Sequence, residues 1–217
     1  MKYPKQRRAV NSPAAPISVA VFILAVLFAP ASLMAQNAVT GGGINFADLG
    51  GTNNTRYTGS VEGDFNVTAN TTNWFRDITV YGDPPPSIYD GPTNSPGTAI
   101  LTISDSKGHF TFSSFEYSSN NGQSTYDIQG FLGSVLEYEE TGTLIASFPP
   151  NFGFNSQGIA NSTVEIDGLQ ITVIPGSGVT SINLDNIGVA TIPEPGSLGL
   201  LGAGVGVMMA LGRGRRR

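Results

Sequence analysis

Between residues 44 and 189 the apolar side chains fall into short alternating runs. Ile44 and Phe46, Phe65 and Val67, Ile78 and Val80, and then Ala99, Leu101 and Ile103 stand two residues apart. A period of two places them on one face of an extended strand and leaves the residues between them on the other. Phe110 and Phe112 continue the pattern, but the phase shifts at Ser113-Ser114 so that Phe115 and Tyr117 become the apolar pair. A β-bulge there would return all four rings to one face. Further strands are predicted around Tyr126 and Ile128, from Val135 to Tyr138, from Leu144 to Phe148 and from Ile182 to Val189. The run from Val164 to Val173 breaks phase at Asp167-Gly168, where a two-residue turn or a bulge fits equally. Gly82 to Gly97, with Pro84-Pro85-Pro86 and Pro92, reads as a loop, because consecutive prolines offer no ladder donors. About ten strands with turns between them and no helical period predict an all-β fold, a single jelly-roll-type β-sandwich.

Both ends break this pattern. Residues 1–35 carry Lys2, Lys5, Arg7 and Arg8 with no acidic residue, then an apolar run from Ile17 to Phe28, Pro30 and small residues up to Ala35. A basic start, a short apolar stretch and a small-residue exit form a signal peptide for signal peptidase, with the cut after Ala35. Leu33 is not the favoured small residue before such a cut, so Ala31 and Ala38 stay open as alternatives. The run of Ile17 to Phe28 is short for a ~30 Å hydrocarbon core. At the other end, Pro193-Glu194-Pro195 precedes an apolar stretch and then Arg213, Arg215, Arg216 and Arg217. Gly196 to Gly212 would make about 25 Å of helix, the lower limit for a membrane span. The arginines would stop transfer and remain on the cytoplasmic side. The expected organisation is therefore a signal peptide (1–35), an exported β-sandwich (36–192) and a membrane-inserted tail (193–217).

Charge and composition narrow the function. Residues 36–192 hold fifteen acidic side chains against Arg56, Arg76 and Lys107, a formal charge of −12. Such a body repels phosphates, which excludes nucleic-acid binding by charge. The absence of Cys excludes disulfides, thiolate zinc sites and thiol catalysis. His109 is the sole histidine, and the chain has no Gly-x-Ser-x-Gly, no phosphate-cradling loop with lysine and no His-Glu-x-x-His. No enzyme is predicted. Glu137 and Glu139 share a strand face, as a glycosidase pair ~5–10 Å apart would require. The same pattern also guards a strand edge against aggregation.

Two kinds of ligand site remain. Asp48, Asp185 and Asn186 would supply hard oxygen ligands for Ca²⁺ if the first and last strands are neighbours. Their competing role is local hydrogen bonding to backbone. Trp74, Tyr57, Tyr81 and Tyr89 lie in or beside loops and are candidates for stacking on sugar rings, with core packing as the competing role. Sequons at Asn53, Asn66, Asn70 and Asn161 match what chance gives in a chain so rich in Asn and Thr.

The tail resembles the PEP-CTERM sorting signal of bacteria that make extracellular polysaccharide. It matches in three parts: Pro193-Glu194-Pro195, a short glycine-rich apolar helix, and the arginine-rich terminus. The resemblance implies recognition by a membrane-embedded exosortase, cleavage near the motif, and release or transfer to the cell surface. The body is similar to domains that such proteins carry, through Ile44-Asn45-Phe46-Ala47-Asp48-Leu49, Asp83-Pro84-Pro85-Pro86-Ser87-Ile88 and Leu184-Asp185-Asn186-Ile187-Gly188-Val189. That likeness implies a sandwich of the carbohydrate-binding-module kind with no assigned activity. The combined expectation is a non-enzymatic surface or matrix protein, made as an inner-membrane-anchored precursor, that binds extracellular polysaccharide or builds the matrix. The alternatives are a polysaccharide hydrolase and an ice-binding surface protein, since the same kind of tail occurs on some ice-binding proteins. Ice binding wants regular Thr-x-Thr rows, and only irregular matches such as Thr68 to Thr72 occur.

Overall fold

The computed structural model describes residues 43–91 and 93–192, so the expected signal peptide, sorting motif and membrane helix lie outside the described residues. These residues form strands and no helix. In chain order the strands are β1 (Gly59–Glu62), β2 (Phe65–Ala69), β3 (Trp74–Asp77), β4 (Ser87–Asp90), β5 (Ala99–Asp105) and β6 (His109–Asn120). There follow β7 (Ser124–Leu132), β8 (Val135–Leu144), β9 (Ala146–Ser147), β10 (Asn155–Gly158), β11 (Gly168–Ile174) and β12 (Ser181–Ile192).

One sheet has the order β1-β2-β5-β11-β7-β8, and the other β10-β6-β12-β4-β3, with β9 lying parallel to the end of β6. Within them, β4-β12-β6-β10 and β5-β11-β7-β8 form the two four-stranded layers, and from β4 onward the chain changes sheet at most of its connections. This interleaving is that of a jelly roll. The alternation read from the sequence creates the interface. Leu101, Ile103, Ile128, Leu169, Ile171 and Val173 of one sheet bury against Phe110, Phe112, Phe115, Ile182, Leu184 and Ile187 of the other.

The phase shift at Ser113-Ser114 is a bulge, as expected. Gly188 of β12 pairs with Ser114 and Val189 with Phe112, which leaves Ser113 as the extra residue and keeps Phe112 and Phe115 both in the core. A second irregularity puts an extra residue on β12 between Asp185 and Gly188, where Asn186 adopts a left-handed φ of 42°. The break at Asp167-Gly168 is a change of sheet. Ile166 bridges Phe110 in one sheet, and β11 begins at Gly168 in the other.

Three local expectations are corrected. The strand expected at Ile78 and Val80 lies earlier, at Trp74–Asp77. The Asp77 carboxylate ends it by accepting the Val80 N–H at 3.0 Å, which bends the chain through Ile78 and Val80. The loop expected over Gly82 to Gly97 contains β4, wholly buried between β12 and β3. Pro84-Pro85-Pro86 stand just before the strand, where no ladder donor is needed. Ile44 and Phe46 make no strand: Ile44 forms an isolated bridge to Ile187, and Phe46 turns into the core at φ 56°.

Gly130 on β7 lies opposite Tyr138 of β8, and a Cβ there would stand 2.3 Å from the Tyr138 ring. A Cβ at Gly168 in the same sheet would meet nothing closer than 3.8 Å. Gly130→Ala is therefore expected to lower the unfolding free energy by about 1–3 kcal/mol. Gly168→Ala should stay within about 0.5 kcal/mol of the parent in urea denaturation.

Candidate functional site

The candidate functional face is the outer side of the β10-β6-β12-β4-β3 sheet. Because Ile88, Leu184 and Tyr117 turn inward, their strand neighbours turn outward. The register then sets Phe75 of β3, Tyr89 of β4, Asn183 of β12 and Ser118 of β6 in one row across the sheet. Asn120 and Ser181 pair at the end of the same face. The outer side of an antiparallel sheet is commonly solvated, yet Asn183 is 2% exposed and Ser118 has no solvent contact.

Loops close over this face and leave a cleft of about 350 Å³. Tyr81, Asp77, Asn94, Asn121, Thr180 and Phe152 are among the residues that line it. Tyr81 is 39% exposed, while Tyr89 is buried, at 8%. Phe75 extends the aromatic surface beside Tyr89, at a centroid distance of 6.1 Å. The floor is amide and hydroxyl. Ser118 Oγ donates to Asn120 Oδ1 at 2.7 Å, and Asn120 Nδ2 donates to Ser181 Oγ at 2.7 Å. Asn121 Nδ2 donates to Thr180 Oγ1 at 2.9 Å, and the Tyr89 hydroxyl donates to Asn54 Oδ1. Asn183 Nδ2 is buried without any hydrogen-bond partner.

The walls are held by two buried carboxylates that are not themselves lining residues, Asp185 and Asp90. Asp185 Oδ2 accepts the Asp83 N–H at 2.7 Å, and Asn186 Nδ2 donates to Asp83 O at 2.5 Å. Ser87 Oγ donates to Tyr81 O at 2.8 Å, so Tyr81 and the proline-rich segment after it are fixed to β12 and β4. Asp90, on the inward side of β4, accepts the Gly97 N–H at 3.0 Å and closes the loop that carries Asn94. Burial pushes Asp90 up to about 7, against the backbone N–H groups of Gly97 and Gly91, which pull it down. Burial likewise pushes Asp185 up to about 6, opposed by the N–H groups of Asp83 and Asn186.

Of the four aromatic candidates, Tyr81 and Tyr89 reach the cleft. Trp74 and Tyr57 do not: both are core residues with no solvent contact. The Trp74 indole N–H donates inward to Ile100 O at 3.0 Å. The Tyr57 hydroxyl bonds Ser60 Oγ at 2.8 Å, and burial pushes it up to about 12. The first and last segments do meet, through the Ile44–Ile187 bridge, but Asp48, Asp185 and Asn186 serve differently. Asp48 is exposed, whereas both oxygens of the solvent-free Asp185 accept backbone N–H groups. Asn186 Nδ2 is bonded to Asp83 O and Glu116 Oε2. Among the described residues no group of three His, Cys, Asp or Glu side chains converges to hold a metal ion.

Glu137 and Glu139 stand exposed on β8, an edge strand, with Glu139 accepting Gln129 Nε2 at 3.0 Å. His109 is exposed and bonded to Glu165. Thr68 and Thr102 are cross-strand neighbours on the outer face of the other sheet, as are Thr125 and Thr143. Gln170, Gln129 and Glu139 continue the Thr102 row, so the threonine array is interrupted.

Sequence reasoning missed Asn183, Asn120, Asn94 and Phe152. Asn183 carried a usable signal, as the polar member between Ile182 and Leu184 in an alternating strand.

No family model matches the chain, and no curated protein matches it significantly. Solved structures to which it is similar include TmCBM61 in complex with β-1,4-galactotriose, at 12% identity and TM-score 0.38, covering 64% of this chain and 98% of that one. Another is a family 29 carbohydrate-binding module from Piromyces equi, at 10% identity and TM-score 0.38, covering 65% and 89%. A third is the family 32 module of C. perfringens NanJ in complex with galactose, at 17% identity and TM-score 0.35, covering 58% and 97%.

The two raised carboxylates give a signed pH dependence. Each holds its proton in the folded state at pH values where the unfolded chain has released it. Their contribution to stability is therefore fully present below about pH 4 and is lost as pH rises through about 6 for Asp185 and 7 for Asp90. The unfolding free energy should rise as pH falls from about 7 to 5, by up to roughly 1 kcal/mol per pH unit per group. Asp90→Asn should flatten the upper part of that profile.

Proposed function

We propose that the protein is an exported, non-enzymatic surface or matrix component whose cleft binds extracellular polysaccharide. The observation that carries this reading is the cleft floor. It combines side-chain amides, hydroxyls and an unpaired buried donor with the accessible ring of Tyr81. Sugar hydroxyls need donors and acceptors together, which Asn supplies in one group, and aromatic faces cover the apolar faces of sugar rings. Asp77 is the sole carboxylate among the lining residues described. The two-carboxylate route to glycoside hydrolysis needs a pair, which favours binding over cleavage.

The route to the surface rests on the two chain ends. The signal peptide would deliver residues 36–192 across the inner membrane, and the PEP-CTERM-like tail would present Pro193-Glu194-Pro195 to an exosortase. Intact mass of the protein recovered from medium and membrane of its native host tests this. The expected species begins at Gln36 and ends near Pro193 to Pro195. A mature membrane species that retains Leu198 to Arg217 would replace sorting with permanent anchoring.

For the cleft, Tyr81→Ala should weaken binding of a recognised polysaccharide about ten-fold or more, the usual effect of truncating an aromatic anchor. Because Tyr81 is well exposed, its unfolding midpoint should not move. Trp74→Ala is the opposite case: it should cost about 3–5 kcal/mol of stability as a core truncation.

A further inference from the structure

We infer that the cleft selects uncharged polysaccharide and that Asn183 Nδ2 donates a hydrogen bond to a ligand oxygen. This rests on the glycan-binding reading above and names the ligand class for the same site. A buried amide donor without a partner is uncommon, because desolvation is then uncompensated. Asn183 is such a donor: it is 2% exposed, lines the cleft, and sits in the centre of the sheet between Tyr89 and Ser118.

Its neighbours pass their own donors along. Ser118 donates to Asn120, and Asn120 donates to Ser181. The Ser181 hydroxyl thus receives a bond and keeps its proton for a ligand. Two donors, Asn183 Nδ2 and the Ser181 hydroxyl, therefore await acceptor oxygens of the hydroxyl, ether or ring kind.

Charge decides between glycan classes. No Lys, Arg or His is among the described lining residues, and Asp77 is the one charged group. Arg56 continues the row beyond Phe75 through a bridge at the sheet edge, outside the cleft lining. A uronate or sulfate would enter a site with no counter-ion, on a body of formal charge −12. A neutral chain meets no such barrier.

The test is affinity gel electrophoresis of the mature protein recovered from its host, at low ionic strength. The gels contain soluble neutral glucans, galactans and mannans on one side, and polygalacturonate and dextran sulfate on the other. Retardation by at least one neutral polysaccharide and by neither anionic one is expected. Asn183→Ala should weaken that retardation at least ten-fold while its unfolding midpoint holds or rises, because an unpaired donor has been removed. Ser181→Ala, milder and less buried, should weaken it several-fold and keeps the test open if the first variant fails to fold.

Retardation by the anionic polymers equal to or above the neutral ones overturns the charge selection. Undiminished binding by Asn183→Ala, or a lowered midpoint, overturns the donor role and leaves Asn183 a structural residue. No retardation by any polysaccharide overturns the glycan-binding reading itself.

Discussion

Asp185 has no contact with solvent, and both of its oxygens are taken by backbone N–H groups, one from its neighbour Asn186 and one from Asp83, 102 residues earlier. The polar face depends on this arrangement. Asp185 and Asn186 sit at an irregularity of β12, and the left-handed turn at Asn186 aims its amide back at Asp83 O. The proline-rich segment that follows Tyr81 makes no ladder of its own, so this contact and the Ser87 bond to Tyr81 O set the position of the cleft wall. A buried carboxylate is expensive to keep. Here it substitutes for the hydrogen bonds that three consecutive prolines cannot provide.

The jelly-roll connectivity gives the clamp its partners. Since the chain crosses from sheet to sheet, β12 enters the fold last and lies between β6 and β4, strands that precede it by many residues. The cleft is thereby assembled from segments far apart in the chain, Asn54 and Phe152 among them. β4 supplies Tyr89, β6 supplies Asn120 with Ser118 behind it, β12 supplies Ser181 and Asn183, and the bend after β3 supplies Tyr81. No local stretch contains the site, and only the register brings its parts together.

That explains what the sequence revealed and what it withheld. Alternation identified most core strands, and the paired phases around Ser113 announced a bulge, because both follow from side chains pointing to opposite faces within one segment. β4 escaped because Ile88 alone marks its inward face with an apolar residue, and Ser87 and Asp90 are polar yet buried through bonds to the loops on either side, at Tyr81 and Gly97. The aromatic candidates divided for the same reason. Trp74 and Tyr81 both stand near turns, but their exposure is decided by distant strands: Ile100 O receives the Trp74 indole, while the clamp holds Tyr81 outward. The short motifs Asp83-Pro84-Pro85-Pro86 and Leu184-Asp185-Asn186-Ile187 were separate resemblances in the sequence. In the fold they are the two halves of one contact.

β12 also has a mechanical meaning. Asn183 stands near its start and the strand ends at Ile192, nine residues and about 30 Å further on at ~3.4 Å per residue. A load applied between Asn183 and the end of the strand would travel along β12 itself. β6 flanks the strand over nearly its whole length, from Ser181–Asn120 to Ile192–His109, and β4 joins on the other side. Tension in that direction strains those hydrogen bonds together as a sliding joint, instead of peeling them one at a time. The strand that forms the floor of the cleft is therefore also the member best placed to transmit any load between the cleft and the end of β12 at Ile192.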